Sequence, residues 1–237
     1  MKTAIILGSG LSKISKELRN PRVIYSDSAG FHKAKAIEGQ LFGKDVIIFS
    51  GRRHFYEGYS PDEILFFVNL AYENGAKLLI VSNAAGGINP TLKISDLMII
   101  TSFINLIKFT FPGKYYMAHT FRSTNIIKEL GLCLRLNLKF GTYCCTSGPV
   151  YETRSEISFF RKSGIDAIGM STVPEIIAAR NLGLDVIGIS CISNILSENT
   201  EFETNHDEVV MACHAAYDRF SKLIQSILTN THKVMQC

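Results

Sequence analysis

The sequence predicts a single α/β domain over residues 1–237, built on a central mixed, mostly parallel sheet flanked by helices. Three observations carry this. Short apolar runs of strand length alternate with segments of helical period, the pattern of a mostly parallel sheet covered on both faces. Hydrophobic residues make up 46% and charged residues 19%, enough for a sizeable core and too apolar for disorder. No repeat, low-complexity segment or linker rich in Pro, Gly or Ser divides the chain.

The strand-like runs fall at residues 4–7, 45–49, 78–82, 97–101, 142–146, 167–169 and 186–192. The first leads into Leu7-Gly8-Ser9-Gly10-Leu11, from which a helix is expected to leave. Ser60-Pro61-Asp62-Glu63 has capping-box spacing with proline at the first helical position, opening a helix to about residue 74. Shorter helices are expected at 156–163 and 174–182. Thr153 with Glu156, and Thr172 with Glu175, are spaced as capping boxes at their starts. The last helix is expected over 205–228, with Asn205 and Glu208 as its box. Val209, Cys213, Ala216, Phe220, Leu223 and Ile227 recur there every three to four positions.

Charge and cysteine usage narrow the function classes. The net charge of +4 is weak and its Lys and Arg are scattered, which argues against a nucleic-acid partner. No apolar run approaches the ~20 residues that span a bilayer, so no membrane partner is expected. Six cysteines form no CxxC and no Cys/His cluster of zinc spacing, so no metal is expected. Cys144, Cys145 and Cys191 lie in strand-like runs, where a thiol behaves as a small hydrophobe. The chain opens on a strand-like run rather than a charged and then long apolar leader, and a reducing cytoplasm is the expected setting.

Ligands of open α/β sheets bind outside the C-terminal ends of the strands, and the polar and Gly-rich segments of this chain fall there. In the GSG turn, glycines let the backbone bring N–H groups and the Ser9 hydroxyl toward an anion; alone, the turn fits a plain βα connection equally well. The run Ser50-Gly51-Arg52-Arg53-His54-Phe55-Tyr56-Glu57 follows a buried strand. Arg52 offers a planar fork suited to phosphate, and in an extended segment His54 points to the same side. Glu57 can orient His54; the alternative is a solvated basic loop. In Val81-Ser82-Asn83-Ala84-Ala85-Gly86-Gly87-Ile88-Asn89-Pro90 a strand runs into a loop of small residues, where the main chain at Ala84 can reach a ligand; the alternative is an ordinary turn.

Glu152 and Ser171 sit at expected helix starts, beside unpaired N–H groups. Asn194 ends the last strand with a carboxamide that both donates and accepts, which suits a heterocycle. His206 falls in the first turn of the last helix, where it can reach that end of the sheet or stand exposed. These residues describe anion donors at Ser9, Arg52, His54 and Ser171 and base readers at Glu152 and Asn194. Such a site can use the anion itself as the nucleophile.

The ordered set GSG, GRRHFYEGY, SNAAGGINP, SGPVYET, GMSTVPE, ISN and NHDEV, over about residues 3–228, resembles the trimeric class of purine nucleoside phosphorylases. GMSTVPE with GPxYET and NAAGG is a highly specific combination. The resemblance implies a nucleoside phosphorylase-like fold. It implies reversible cleavage of purine (deoxy)ribonucleosides by orthophosphate, a co-substrate, with no metal or organic cofactor.

It places phosphate at Ser9, Arg52, His54, the Ala84 main chain and Ser171. The purine falls at Glu152 and Asn194 with Tyr151 beside it, the ribose at Tyr56 and Met170, and the 5′-hydroxyl at His206. It also implies a homotrimer in which an aromatic, Tyr115 or Tyr116 here, enters the neighbouring subunit's ribose pocket. Asparagine at 194 implies a preference for 6-oxopurines (inosine, guanosine) and a role in purine salvage. Aspartate there would mark a methylthioadenosine phosphorylase, which with a methylthioinosine phosphorylase or a non-catalytic nucleoside-binding protein is the competing reading. The family's usual Gly-His-Ala-Gly loop finds no histidine in register around residues 33–43, and Ile195 replaces the family's lysine.

Overall fold

The computed structural model describes residues 1–28, 33–107, 123–198 and 206–235, except for the side chain of His206. The strands are β1 (Lys2–Ile6), β2 (Arg19–Asp27), β3 (Ala34–Leu41), β4 (Lys44–Ser50), β5 (Ala76–Gly87), β6 (Leu97–Asn105), β7 (Lys139–Cys145), β8 (Ala167–Gly169) and β9 (Asp185–Ile195). The helices are α1 (Pro61–Glu73), α2 (Thr124–Cys133), α3 (Arg154–Lys162), α4 (Val173–Asn181), α5 (His206–Thr229) and α6 (Thr231–Met235).

The strands form one mixed sheet in the order β2-β3-β4-β1-β5-β8-β7-β6-β9, and β9 also pairs with β5. That extra pairing closes β5, β8, β7, β6 and β9 into a ring. The pairings of β1 with β4 and β5, and of β5 with β9, are parallel. The antiparallel part is the β2-β3-β4 meander and two short closures, β5–β8 and β6–β9.

Both faces of the centre are buried, as β1 illustrates. Its Ala4 and Ile6 join one core with Leu65 and Val68 of α1 and Ile176 of α4. Its Ile5 joins the other with Phe220, Leu223 and Ile227 of α5. Period-2 alternation sends successive side chains to opposite faces. A fully buried Ile or Leu contributes about 1.5–3 kcal/mol, so a strand apolar on both faces belongs in the middle of a covered sheet.

Several expectations are corrected. The chain leaves the GSG turn as a 3₁₀ segment over Ser12–Glu17, with no α-helix. The run expected as a loop, Asn83 to Gly87, is still strand: its carbonyl and N–H groups pair with β9 on one side and, at Gly86 and Gly87, with β8 on the other. Small residues there serve close packing, since a Cβ on Gly86 would come within 2.9 Å of Leu196. The strands β2 and β3 and the helix α2 have no counterpart in the sequence reading. Most of β2 is exposed at the sheet edge and is polar, so it lacks an apolar signal.

Candidate active site

A cavity of about 540 Å³ opens where β1, β4, β5 and β9 end and α3 and α4 begin. Its walls include Ser9, Arg52, His54, Tyr56, Ala84, Tyr151, Glu152, Met170, Ser171 and Asn194. Ten of the expected site residues are thus brought together from six segments far apart in sequence. Glu57 stands behind His54 rather than on the wall. His206 begins α5, and its side chain lies outside the described residues, as do Tyr115 and Tyr116.

The basic wall is built on Arg52, only 6% exposed. Its Nε donates to Glu175 Oε1 at 2.6 Å and its Nη1 donates to Ser171 Oγ at 3.2 Å. Its Nη2 is buried and meets no acceptor among the described residues. A buried donor left without a partner costs free energy, and a cationic one is a strong anion ligand.

Glu175 corrects the capping-box expectation for α4. Thr172 makes no side-chain cap, because Glu175, buried to 2%, faces Arg52. Thr172 adopts φ +81, a strained angle for a β-branched residue. Asn83 Nδ2 donates to its hydroxyl at 2.8 Å and helps hold that conformation. The Ser171 carbonyl accepts from the Tyr143 hydroxyl and the Cys145 thiol, both at 3.1 Å. Ser171 is therefore fixed through its carbonyl and its Oγ. Burial pushes the Tyr143 phenol well above its ordinary range, keeping it a neutral donor.

The GSG turn is set by Ser82. Its hydroxyl donates to the Ile6 carbonyl at 3.2 Å and accepts from Gly8 N–H at 3.1 Å. Position 8 must be glycine, because a Cβ would come within 2.6 Å of Asn83 Cα. His54 Nδ1 lies 2.7 Å from Glu57 Oε1, and the ring stacks on Tyr56 with centroids 5.0 Å apart. A carboxylate at Nδ1 fixes the tautomer with hydrogen there, so Nε2 carries the ring's lone pair.

The other recognition groups are a carboxylate and an amide. Glu152 precedes Thr153, whose capping box with Glu156 forms as expected. Burial raises the Glu152 carboxyl, the charge of Glu156 adds to this, and its own N–H and the Thr146 hydroxyl work against it. Asn194 Oδ1 accepts from Ser193 Oγ at 2.8 Å, which orients the carboxamide on the cavity wall. Met170 packs against Gly148, where any Cβ would collide with its sulfur. Tyr151 is half exposed at the mouth.

Sequence reasoning missed Glu175, Asn83, Ser193 and Lys33, which also lines the cavity. Only Glu175 left a signal: a carboxylate inside the apolar run Val173-Pro174-Glu175-Ile176-Ile177, which the capping template absorbed.

Among the described residues, no group of three or more His, Cys, Asp or Glu is arranged to hold a metal ion. Nor is any helix among them long and apolar enough to cross a membrane.

Residues 2–229 match the family model described as the phosphorylase superfamily. Purine nucleoside phosphorylase 1 of Bacillus subtilis (strain 168) is 36% identical over 247 aligned residues, covering 96% of this chain and 91% of that protein. A solved schistosoma purine nucleoside phosphorylase in complex with hypoxanthine matches with a TM-score of 0.84 and 28% identity, over 95% of this chain and 89% of that one. Isoform 2 of the Schistosoma mansoni enzyme, solved with cytosine and ribose-1-phosphate, matches with a TM-score of 0.87 and 27% identity, over 96% and 90% of the two chains.

Proposed function

The chain belongs to the phosphorylase superfamily and, within it, to the purine nucleoside phosphorylases; on that premise we propose that it cleaves purine (deoxy)ribonucleosides with orthophosphate, preferring 6-oxopurines. The observation that carries the reading is Arg52: a guanidinium on the wall of a nucleoside-sized cavity, clamped by Glu175 and Ser171, with a buried Nη2 that meets no acceptor among the described residues.

Phosphate is held by Arg52, Ser9, the Ala84 main chain, Ser171 and His54. The glycosidic C–N bond breaks with its electron pair going to the purine, and the sugar carbon takes on oxocarbenium character. A phosphate oxygen forms the new bond to that carbon, giving a pentose 1-phosphate. The leaving purine carries negative charge, stabilised by the Asn194 amide donating at N7 or O6, and gains a proton from solvent. Glu152 accepts from N1–H and, in guanine, from the 2-amino group. Glu57 holds His54 so that Nε2 shares a proton with phosphate. Tyr56 and Met170 face the ribose, Tyr151 flanks the base, and His206 receives the 5′-hydroxyl. Positioning and fixed charge supply the rate, so the residues need no metal or organic cofactor to do this.

The same reading treats residues 1–237 as one domain acting as a homotrimer in a cytoplasmic salvage role. The exposed apolar side chains of Tyr151, at the mouth, and of its chain neighbour Val150 support a partner surface there. The test is a panel of inosine, guanosine, adenosine and methylthioadenosine. Inosine and guanosine should be cleaved at least about tenfold better by kcat/KM, and Asn194→Asp should move the ratio toward adenosine. Equal turnover of adenosine would remove the assigned role of Asn194.

A further inference from the structure

Arg53, next to the phosphate-side Arg52, is absent from the cavity wall that Arg52 and His54 line. Neighbouring residues of an extended segment face opposite ways, so where Arg52 turns to Glu175, Arg53 turns to the outer edge of the sheet. Its Nη2 donates to Asp27 Oδ2 at 2.9 Å and to the Tyr25 hydroxyl at 3.1 Å. Both acceptors belong to the last turn of the edge strand β2. The same guanidinium lies over the rings of Tyr59, 5.2 Å away, and Phe66 of α1, 5.7 Å away. Tyr25 packs in turn on Phe66, with ring centroids 4.6 Å apart.

One side chain therefore joins three pieces: the edge strand, the segment carrying Arg52 and His54, and the first helix. It is 14% exposed, and its charge is matched both by a carboxylate and by two ring faces. An exposed ion pair has little power to fix a loop, whereas a planar fork held on several sides has much more. The tie adds, from the outer side, to those that Glu175, Ser171 and Glu57 give Arg52 and His54. Gly51 takes φ +75, and its Cα faces the Lys33 carbonyl so closely that no Cβ fits.

We infer that Arg53 is a positioning residue for the anion subsite, a strut that fixes Arg52 and His54 against β2 and α1 without touching substrate. The inference rests on the phosphorolytic reading for its kinetic test. Displacing a binding group by about 1 Å can cost ~100-fold, and the groups on either side of Arg53 in the chain, Arg52 and His54, are the phosphate-side ones. Its loss should therefore fall on phosphate and spare the nucleoside.

The experiment compares the full chain with Arg53→Met, Asp27→Asn and the double variant. Expected is a rise in KM for phosphate of about tenfold in Arg53→Met and a smaller one in Asp27→Asn, with KM for inosine changed less than about twofold. The double variant should show less than the sum of the two single effects on phosphate KM, because Arg53→Met already removes the guanidinium that Asp27 holds. The phosphate-induced rise in Tm should shrink in the same order, a readout independent of turnover. Asp27→Asn, at an acceptor that is 28% exposed, guards against a fold-breaking change at Arg53. An unchanged phosphate KM with a lowered Tm would reduce Arg53 to a structural residue and overturn the inference. Equal rises in both KM values would overturn it as well. Phosphate-independent cleavage by the wild type would instead sink the phosphorolytic reading, leaving the Tm comparison to decide the strut.

Discussion

Glu152 carries a conflict between stability and recognition. Burial raises its carboxyl above the ordinary carboxylate value, so the folded protein favours the protonated form. The sign follows from linkage: a raised folded pKa gives stability that is present below the unfolded value and lost as pH rises through the folded one. At neutral pH the ionised carboxylate is therefore held at a cost to the fold. Glu152→Gln should raise Tm at pH 7, and the gain should vanish as pH falls below the ordinary carboxylate range. The same variant should lower kcat/KM for guanosine by about 100-fold, since the amide presents a donor where an acceptor is required. Unchanged guanosine kinetics would refute that assignment. Arg52 and Glu175 make a second residue-scale case. Breaking a buried pair leaves one charge uncompensated, so Glu175→Gln should cost about 3–5 kcal/mol in urea unfolding. It should also weaken phosphate, because Arg52 loses the group that aims it.

At the scale of elements, helix starts decide which side chains face the cavity. The capping box of α3 forms as its sequence states, and it holds Glu152 one residue before the cap. Thr153→Ala should cost about 1 kcal/mol in unfolding free energy and raise KM for the nucleoside while sparing phosphate. A selective loss of phosphate binding would contradict this placement. Thr172 and Glu175 have identical spacing and form no box. Local spacing sets what a carboxylate can reach, but Arg52, 123 positions away in the chain, offers Glu175 a charged partner in a buried place. That partner is invisible to a local template. Similarly, Asn83 to Gly87 reads as a loop because small residues and glycines punctuate the sequence. The fold uses them as strand because their backbone pairs with β9 and, at Gly86 and Gly87, with β8, partners that lie far away in the sequence.

Across the whole molecule, what was legible followed from periodicity and motif. The core strands β1, β4, β5 and β9 are apolar on both faces, and α5 repeats its apolar positions at helical spacing. Each leaves a strong local signal. The edge hairpin β2-β3 is polar and half exposed, so its pairing rests on register with β4 rather than on composition. The residues that touch ligand in the proposed scheme were recognisable as a motif set. Those that hold them (Glu175, Asn83, Ser193 and Arg53) act through long-range contacts that one sequence does not display. Assembly is the remaining prediction at this scale: light scattering should give about three times the 26.3 kDa chain mass. A monomer of full activity would contradict the trimer.

The central claim is that a buried Arg52 binds the attacking phosphate. Its most direct test is to follow inosine with and without phosphate and to identify the sugar product, in the wild type and in Arg52→Met. Expected are free hypoxanthine and ribose 1-phosphate in equal amounts, only with phosphate present, and a loss of at least about 100-fold in the variant. Free ribose formed without phosphate, or a variant that retains phosphorolysis, would contradict it.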